Sequence, residues 1–115
     1  MRPFILKPTA MSASLVVRTG SKLLPVAASQ IMYVKSSGKL CTIKTADRDY
    51  HVRMPLNDLE QCLPADSFVR IHRSFLISLQ HIVEINAMRV IVGAKSLPVS
   101  RKGRYQLIRC YTLVR

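Results

Sequence analysis

Short apolar runs, interrupted at close intervals by turn residues, are the feature that most constrains the fold of this chain. Residues 31–35 alternate in polarity, residues 36–38 (Ser-Ser-Gly) have the composition of a turn, and residues 39–45 alternate again. This is the pattern of a β-hairpin. Similar runs lie at 14–18, 23–27, 49–53, 68–71, 74–79, 81–85, 88–92 and 96–99. We therefore predict a mostly β protein with eight to ten short strands.

Two segments favour helices instead. At 55–62 a proline suits the first turn, leucines recur on one face, and a second proline ends the segment. Asp58 and Glu60 are expected to be solvated charges on this helix. Apolar and aromatic residues at helical spacing within 101–113 predict a second short helix or an irregular turn. The fold class is therefore mostly β with one or two short helices.

The length of 115 residues suits one domain, which at this size buries roughly 65% of the surface of its unfolded chain. We expect a flexible arm at 1–13 and a domain at 14–115. No uncharged apolar run is long enough to cross a membrane. An odd number of cysteines (Cys41, Cys62 and Cys110) without a CxxC pair argues against a disulfide framework and a zinc ribbon. They are predicted to be buried free thiols of a cytoplasmic protein.

Charge is the strongest compositional signal. Eighteen Lys and Arg residues outnumber six Asp and Glu, for a net charge of +12. Residues 1–46 and residues 85–115 each carry seven basic residues and no acidic one, so all six acids lie between them. If the two basic regions meet on one face, that face would bind a polyanion. Charge alone leaves DNA, RNA and an anionic membrane open.

The sequence contains no constellation typical of an enzyme. The three histidines have neither HExxH spacing nor metal-binding spacing with the cysteines, and the four glycines form no phosphate-binding loop. We therefore expect a protein that is not an enzyme and uses no metal and no cofactor.

Two polar motifs in otherwise apolar surroundings point to a family. Residues 68–82 read FVRIHRSFLISLQHI and residues 97–107 read LPVSRKGRYQL; the segment IMYVKSSGKLCTIKT at 31–45 is a weaker match. Together they resemble the LytTR DNA-binding domain of bacterial transcription regulators over residues 14 to about 112. Within the first motif the matching residues are Phe68, Arg70, His72, Ser74, Phe75, Leu76 and Ile77. Ser78 departs from the pattern, because the family usually has Asn there.

The resemblance implies an elongated stack of small β-sheets with about ten short strands. It implies that loops, and no recognition helix, enter successive major grooves of double-stranded DNA, commonly as two copies on direct repeats, so that a dimer on DNA is possible. Many family members carry the domain behind a receiver domain. This chain has no room for a receiver, so we expect a free-standing member or an excised domain. Neither a membrane nor a small-molecule substrate is expected as a partner.

The resemblance also identifies three DNA-binding segments. Arg73 and Arg101 are expected to read base edges, since a guanidinium can bond both acceptors of a guanine. In the segment at 100–104, after the last strand, three cations lie where a helix would begin. The helix dipole is positive there, so these cations favour a functional role over a structural one. Gly103 is expected to let the backbone approach phosphates. The predicted DNA-binding residues are Ser36, Ser37, Lys39, Arg70, His72, Arg73, Ser74, Arg101, Lys102 and Arg104.

Two alternatives remain open at this point. A protein-interaction or sensory module could use the same fold without binding a duplex. RNA binding on a β-surface would need exposed aromatic residues for base stacking. The alternation of polarity instead predicts that Tyr33, Phe68 and Phe75 lie in the core.

Overall fold

The computed structural model describes residues 14–114 of the chain, so the predicted arm at 1–13 lies outside the described residues. It contains ten strands and two α-helices. The strands are β1 (Ser14–Thr19), β2 (Lys22–Ala27), β3 (Ile31–Ser37), β4 (Leu40–Thr45), β5 (Asp49–Val52), β6 (Phe68–His72), β7 (Phe75–Ser78), β8 (Ile82–Ile85), β9 (Arg89–Val92) and β10 (Lys95–Pro98). The helices are α1 (Leu56–Gln61) and α2 (Arg101–Ile108), and short 3₁₀ turns lie at Ala28–Gln30 and Leu79–His81.

A five-stranded antiparallel sheet of order β5-β4-β3-β7-β6 forms the middle of the molecule. Because successive side chains of a strand point to opposite faces, β3 contributes to both sides of this sheet. Val34 joins the apolar cluster on one face and Tyr33 joins the cluster on the other. Lys35 lines a cleft on the same side as Tyr33. The central sheet is therefore covered on both faces.

One face is covered by the β1–β2 hairpin and α1. The buried residues on this side come from β1, β2, the central sheet and α1, and include Val26, Val34, Ile43, Leu59 and Leu76. Pro25 lies in β2, whose only partner among the described strands is β1, so its missing N–H group leaves no central ladder incomplete.

The other face is covered by the three-stranded sheet β10-β9-β8 and by α2. The buried cluster on this side joins Ile71 and Ile77 of the central sheet to Val92, Leu97 and Leu107. The molecule is thus a stack of three layers, and apolar burial on both sides holds the central sheet.

The predicted fold class is confirmed, with differences in detail. Ser36 and Ser37 continue β3 by pairing with β4, so the hairpin turn consists of Gly38 and Lys39, and Gly38 has a φ of 63°. Glycine suits this left-handed conformation because it has no Cβ. The second helix is real but ends at Ile108.

The prediction of three buried thiols is correct for only one cysteine. Cys41 is buried, whereas Cys62 and Cys110, which lie just after α1 and α2, are exposed. Burial raises the pKa of the Cys41 thiol above its ordinary value, and the charge of Arg70 opposes this in part. Tyr33 and Phe68 are buried as predicted, whereas Phe75 is half-buried. Neither helix of the described part is long and apolar enough to cross a membrane.

Candidate nucleic-acid interface

Two of the predicted segments lie at the same end of the central sheet. β3 and β6 are both antiparallel to β7, so they run in the same direction, and the turns that follow them lie at one end. These turns are Gly38–Lys39 and Arg73–Ser74. A hydrogen bond of 2.8 Å from the Ser36 backbone N–H to the Ser74 carbonyl joins them. We call this end of the sheet, with its two turns, the loop end.

The third segment is attached directly to the second. The backbone N–H of Ser100 donates to the Ile71 carbonyl at 2.8 Å, and the Ser100 hydroxyl donates to the same oxygen at 3.2 Å. The hydroxyl also accepts from the Gly103 N–H at 2.9 Å, which makes Ser100 the N-cap of α2. The start of α2 is therefore held against the end of β6, two residues before the Arg73–Ser74 turn.

Gly103 makes this attachment possible. It is buried, and a Cβ at this position would overlap the backbone of Ile71. Gly103 was expected to let the backbone approach phosphates, but the group that it approaches is the backbone of Ile71. The close approach is between α2 and β6, inside the protein.

Arg70 holds the Arg73–Ser74 turn from within. Its Nε donates to the His72 carbonyl at 2.9 Å and its Nη2 donates to the Arg73 carbonyl at 2.7 Å. Its Nη1 donates to Asn57 Oδ1 at 2.7 Å and to Glu60 Oε1 at 3.1 Å. Four of the five N–H donors of a guanidinium are thus engaged. Glu60 was predicted to be a solvated charge, but it forms an ion pair with Arg70.

His72 adds a second constraint on the same turn. Its Nδ1 accepts a hydrogen bond of 3.1 Å from the Ser74 backbone N–H, and its ring lies 5.8 Å from the Phe75 ring in a tilted arrangement. In this geometry Nδ1 is the acceptor nitrogen of the imidazole. The side chain of Arg73, by contrast, is exposed and makes no hydrogen bond or ion pair with residues 14–114.

A cleft of about 570 Å³ lies beside the turn, and we call it the turn cleft. It places the side chains of Arg73 and Lys102 around one concave surface. Its lining residues are Asn57, Glu60, Arg70, His72, Arg73, Ser100, Lys102, Gly103 and Gln106. Arg101 and Arg104 line a neighbouring depression with Met88 and Tyr105. The first turn of α2 therefore presents its cations to two adjacent concave surfaces.

The cations at the start of α2 are unfavourable for the helix itself but favourable for binding an anion. Its first turn carries Arg101, Lys102 and Arg104 and no acidic residue. Cations at a helix N-terminus are unfavourable by about 0.3–1 kcal/mol each, because the dipole and the unpaired N–H groups are positive there. The described residues supply no carboxylate partner to any of these three side chains.

The Gly38–Lys39 turn is built differently. Ser37, Gly38 and Lys39 are exposed, Ser36 is half-buried, and their side chains make no hydrogen bond within the described part of the chain. An exposed cation missed by the sequence analysis, Arg53, directly follows β5, whose direction matches that of β3. Arg53 therefore also lies at the loop end. The sequence did carry a signal for Arg53, because this residue closes the β-like run at 49–53 and so lies next to a turn.

Comparisons with known proteins identify the family of the chain. A family model described as the LytTr DNA-binding domain matches residues 21–110. The sensory transduction protein LytT of Bacillus anthracis is 35% identical over 99 residues, covering 81% of this chain and 40% of that protein. The transcriptional regulatory protein LytR of Staphylococcus aureus is 33% identical over 72 residues, covering 63% of this chain and 29% of that protein. The chain thus spans well under half the length of these curated relatives.

A solved structure shows the same fold. It is a LytTr DNA-binding domain from Bacillus cereus, with a TM-score of 0.71 and 23% sequence identity, and the alignment covers 86% of this chain and 96% of that one. The match of the family model includes both motifs at the loop end and the hairpin that precedes them. On this evidence the chain belongs to the LytTR family of DNA-binding domains.

Proposed function

We propose that this protein is a cytoplasmic transcription regulator that binds double-stranded DNA in a sequence-specific manner by inserting its loop end into the major groove. One observation carries the proposal. The fold brings three separate basic segments to one end of the molecule and leaves their cations exposed, while hydrogen bonds inside the protein fix the backbone beneath them. Exposed cations on a fixed backbone suit a rigid polyanion such as a duplex.

Arg73 is the strongest candidate for reading a base. Its carbonyl is held by Arg70, the next N–H by His72, and its own guanidinium is exposed. A guanidinium on a fixed turn can bond O6 and N7 of a guanine together in the major groove. Arg101 is the second candidate, at the start of a helix held to the same strand. Arg70 and His72 then act by positioning this turn.

The remaining residues supply affinity without much sequence information. Lys39, Lys102 and Arg104 are exposed cations, and Ser36, Ser37 and Ser74 offer hydroxyl groups near the same end of the sheet. Contacts of this kind with phosphates set the position of a protein on DNA. Two copies are proposed to bind direct repeats about one helical turn apart, the spacing that lets both copies approach one side of the duplex.

The experiment is a selection of bound duplexes from a random pool at physiological salt, followed by binding measurements on the selected site and a scrambled site. Arg73→Ala and Arg101→Ala should each cost about 1–3 kcal/mol on the selected site and relax one base position. Lys102→Ala should weaken both duplexes similarly and lower the slope of log K against log salt by about one unit.

The controls separate this proposal from its rivals. Equal losses on the selected and scrambled duplexes for both arginine variants would show that these residues only neutralise phosphates. The absence of salt-dependent affinity for any duplex would favour a protein-interaction module. The burial of Tyr33 and Phe68 argues against single-stranded RNA on these strands, because RNA would need exposed aromatic rings there for base stacking.

A further inference from the structure

A second basic cleft lies between the central sheet and the β9–β10 hairpin, and we call it the inter-sheet cleft. It has a volume of about 480 Å³, and its charged and polar lining includes Lys35, Lys44, Asp49, Arg89, Lys95 and Ser96. It exists because the outer sheet covers only part of the central one. The apolar cluster between them takes its central-sheet residues from β3, β6 and β7, so the outer face of β4 and β5 faces this opening.

The charges in this cleft do not balance. Lys44 Nζ lies 2.7 Å from Asp49 Oδ2, and this ion pair, which raises the pKa of Lys44, occupies the carboxylate. Asp49 is the one acid in the lining, so Lys35, Arg89 and Lys95 have no carboxylate partner among the described residues. Three cations around a concave surface concentrate positive potential there, since the protein walls displace water.

Arg89 is already oriented for binding. Its Nε donates to the Ser96 hydroxyl at 2.6 Å and its Nη2 donates to the Ser96 carbonyl at 3.0 Å, across the β9–β10 ladder. A guanidinium has five N–H donors, so three remain unused after these two bonds. Because the fork is held in place, binding an anion would cost little side-chain entropy.

We infer that the inter-sheet cleft, which shares no lining residue with the turn cleft, binds a phosphoryl group. A carboxylate could be satisfied by one arginine, whereas cations on three strands suit a dianion with oxygens in several directions. Lys35 reaches the cleft from β3, Lys95 from β10, and Arg89 from β9. The phosphoryl group belongs either to a phosphorylated small molecule or to the backbone of a bound duplex. The second source, but not the first, rests on the proposed function.

The test compares two double variants with equal loss of charge. The first, the cleft variant, combines Lys35→Gln with Lys95→Gln and removes two cations from the inter-sheet cleft. The second, the hairpin variant, combines Arg18→Gln with Lys22→Gln and removes two exposed cations from the β1–β2 hairpin, which covers the opposite face. All four residues are exposed, so both variants should fold.

The first measurement is a titration with inorganic phosphate, in which binding is monitored through the amide NMR signals of Lys35, Arg89 and Ser96. Saturable shifts are expected in the wild-type protein and in Arg73→Ala. Phosphate should bind at least tenfold more weakly to the cleft variant than to the wild-type protein, and the hairpin variant should show no such loss. The second measurement is the salt dependence of duplex binding. A slope lower by about two in the cleft variant alone would identify backbone phosphate as the source.

Each outcome decides the inference. Phosphate-induced shifts that disappear in the cleft variant support the site with a free ligand, and a reduced salt slope supports it with DNA. If the cleft variant matches the hairpin variant in both measurements, the inference is overturned. The proposed function is judged separately, since Arg73→Ala tests it with the cleft intact, and the phosphate titration needs no duplex.

Discussion

The two turns of the loop end differ in how they are held. The Arg73–Ser74 turn is fixed by the guanidinium of Arg70, by the imidazole of His72 and by the attachment of α2 to Ile71. The Gly38–Lys39 turn is closed by the β3–β4 ladder and joined to Ser74 by one further backbone bond, but it receives no side-chain bond from the described residues. From this difference we propose that the two basic turns have different tasks on DNA. A base edge must be met with a fixed geometry, whereas a phosphate can be met by a mobile lysine.

The largest effect is expected from separating α2 from β6. Gly103→Ala would place a methyl group in the backbone of Ile71, and overpacking of this kind costs about 1–3 kcal/mol or more, which exceeds the roughly 1 kcal/mol gained from helix propensity. Because the atoms in the way are backbone, which cannot move aside as a flexible side chain can, the cost should lie at or above the upper end of that range. After the gain in helix propensity, the free energy of unfolding in urea should fall by about 2 kcal/mol or more.

The matched control is Gly20→Ala in the β1–β2 turn. Gly20 has a φ of 63° and open space around its Cβ position, so only backbone strain of about 1 kcal/mol is expected. Equal losses of stability in the two variants would contradict the role assigned to the α2–β6 contact.

The next effect should come from loosening the Arg73–Ser74 turn without changing charge. Arg70→Lys keeps the cation but cannot reproduce four bonds to four partners. Affinity for the selected duplex should fall about tenfold, or about 1.4 kcal/mol, while the salt slope stays the same. Arg53→Lys, at an exposed position of the same end, should change neither quantity. An unchanged affinity of Arg70→Lys for the selected duplex would contradict the positioning role proposed for Arg70.

The smallest effect is expected at the less constrained turn. Lys39→Gln should weaken the selected and the scrambled duplex by the same few-fold factor and lower the salt slope by about one unit. The preference between the two duplexes should not change. A shift in that preference, measured by repeating the selection with the variant, would give this turn a reading role and remove the contrast between the two turns.

Local patterns were sufficient to predict most of the secondary structure. Alternation of period two and the turn residues between runs are local properties, and they placed all ten strands within a few residues of their observed bounds. The resemblance to a family identified the segments that the fold brings to the loop end. The role of Arg70 could not be predicted in the same way, because its partners Asn57 and Glu60 lie 13 and 10 residues away on a helix.

The sequence by itself determined the strands, the turns and the excess of positive charge, since each depends on the chemistry of neighbouring residues. Only the tertiary structure decided that Gly103 meets Ile71, that Lys102 shares the turn cleft with Arg73, and that Lys35 faces Arg89 across the inter-sheet cleft. The physical reason is that layers stack to bury apolar faces. The polar groups that this stacking brings together are far apart in the chain, and no local pattern records their meeting.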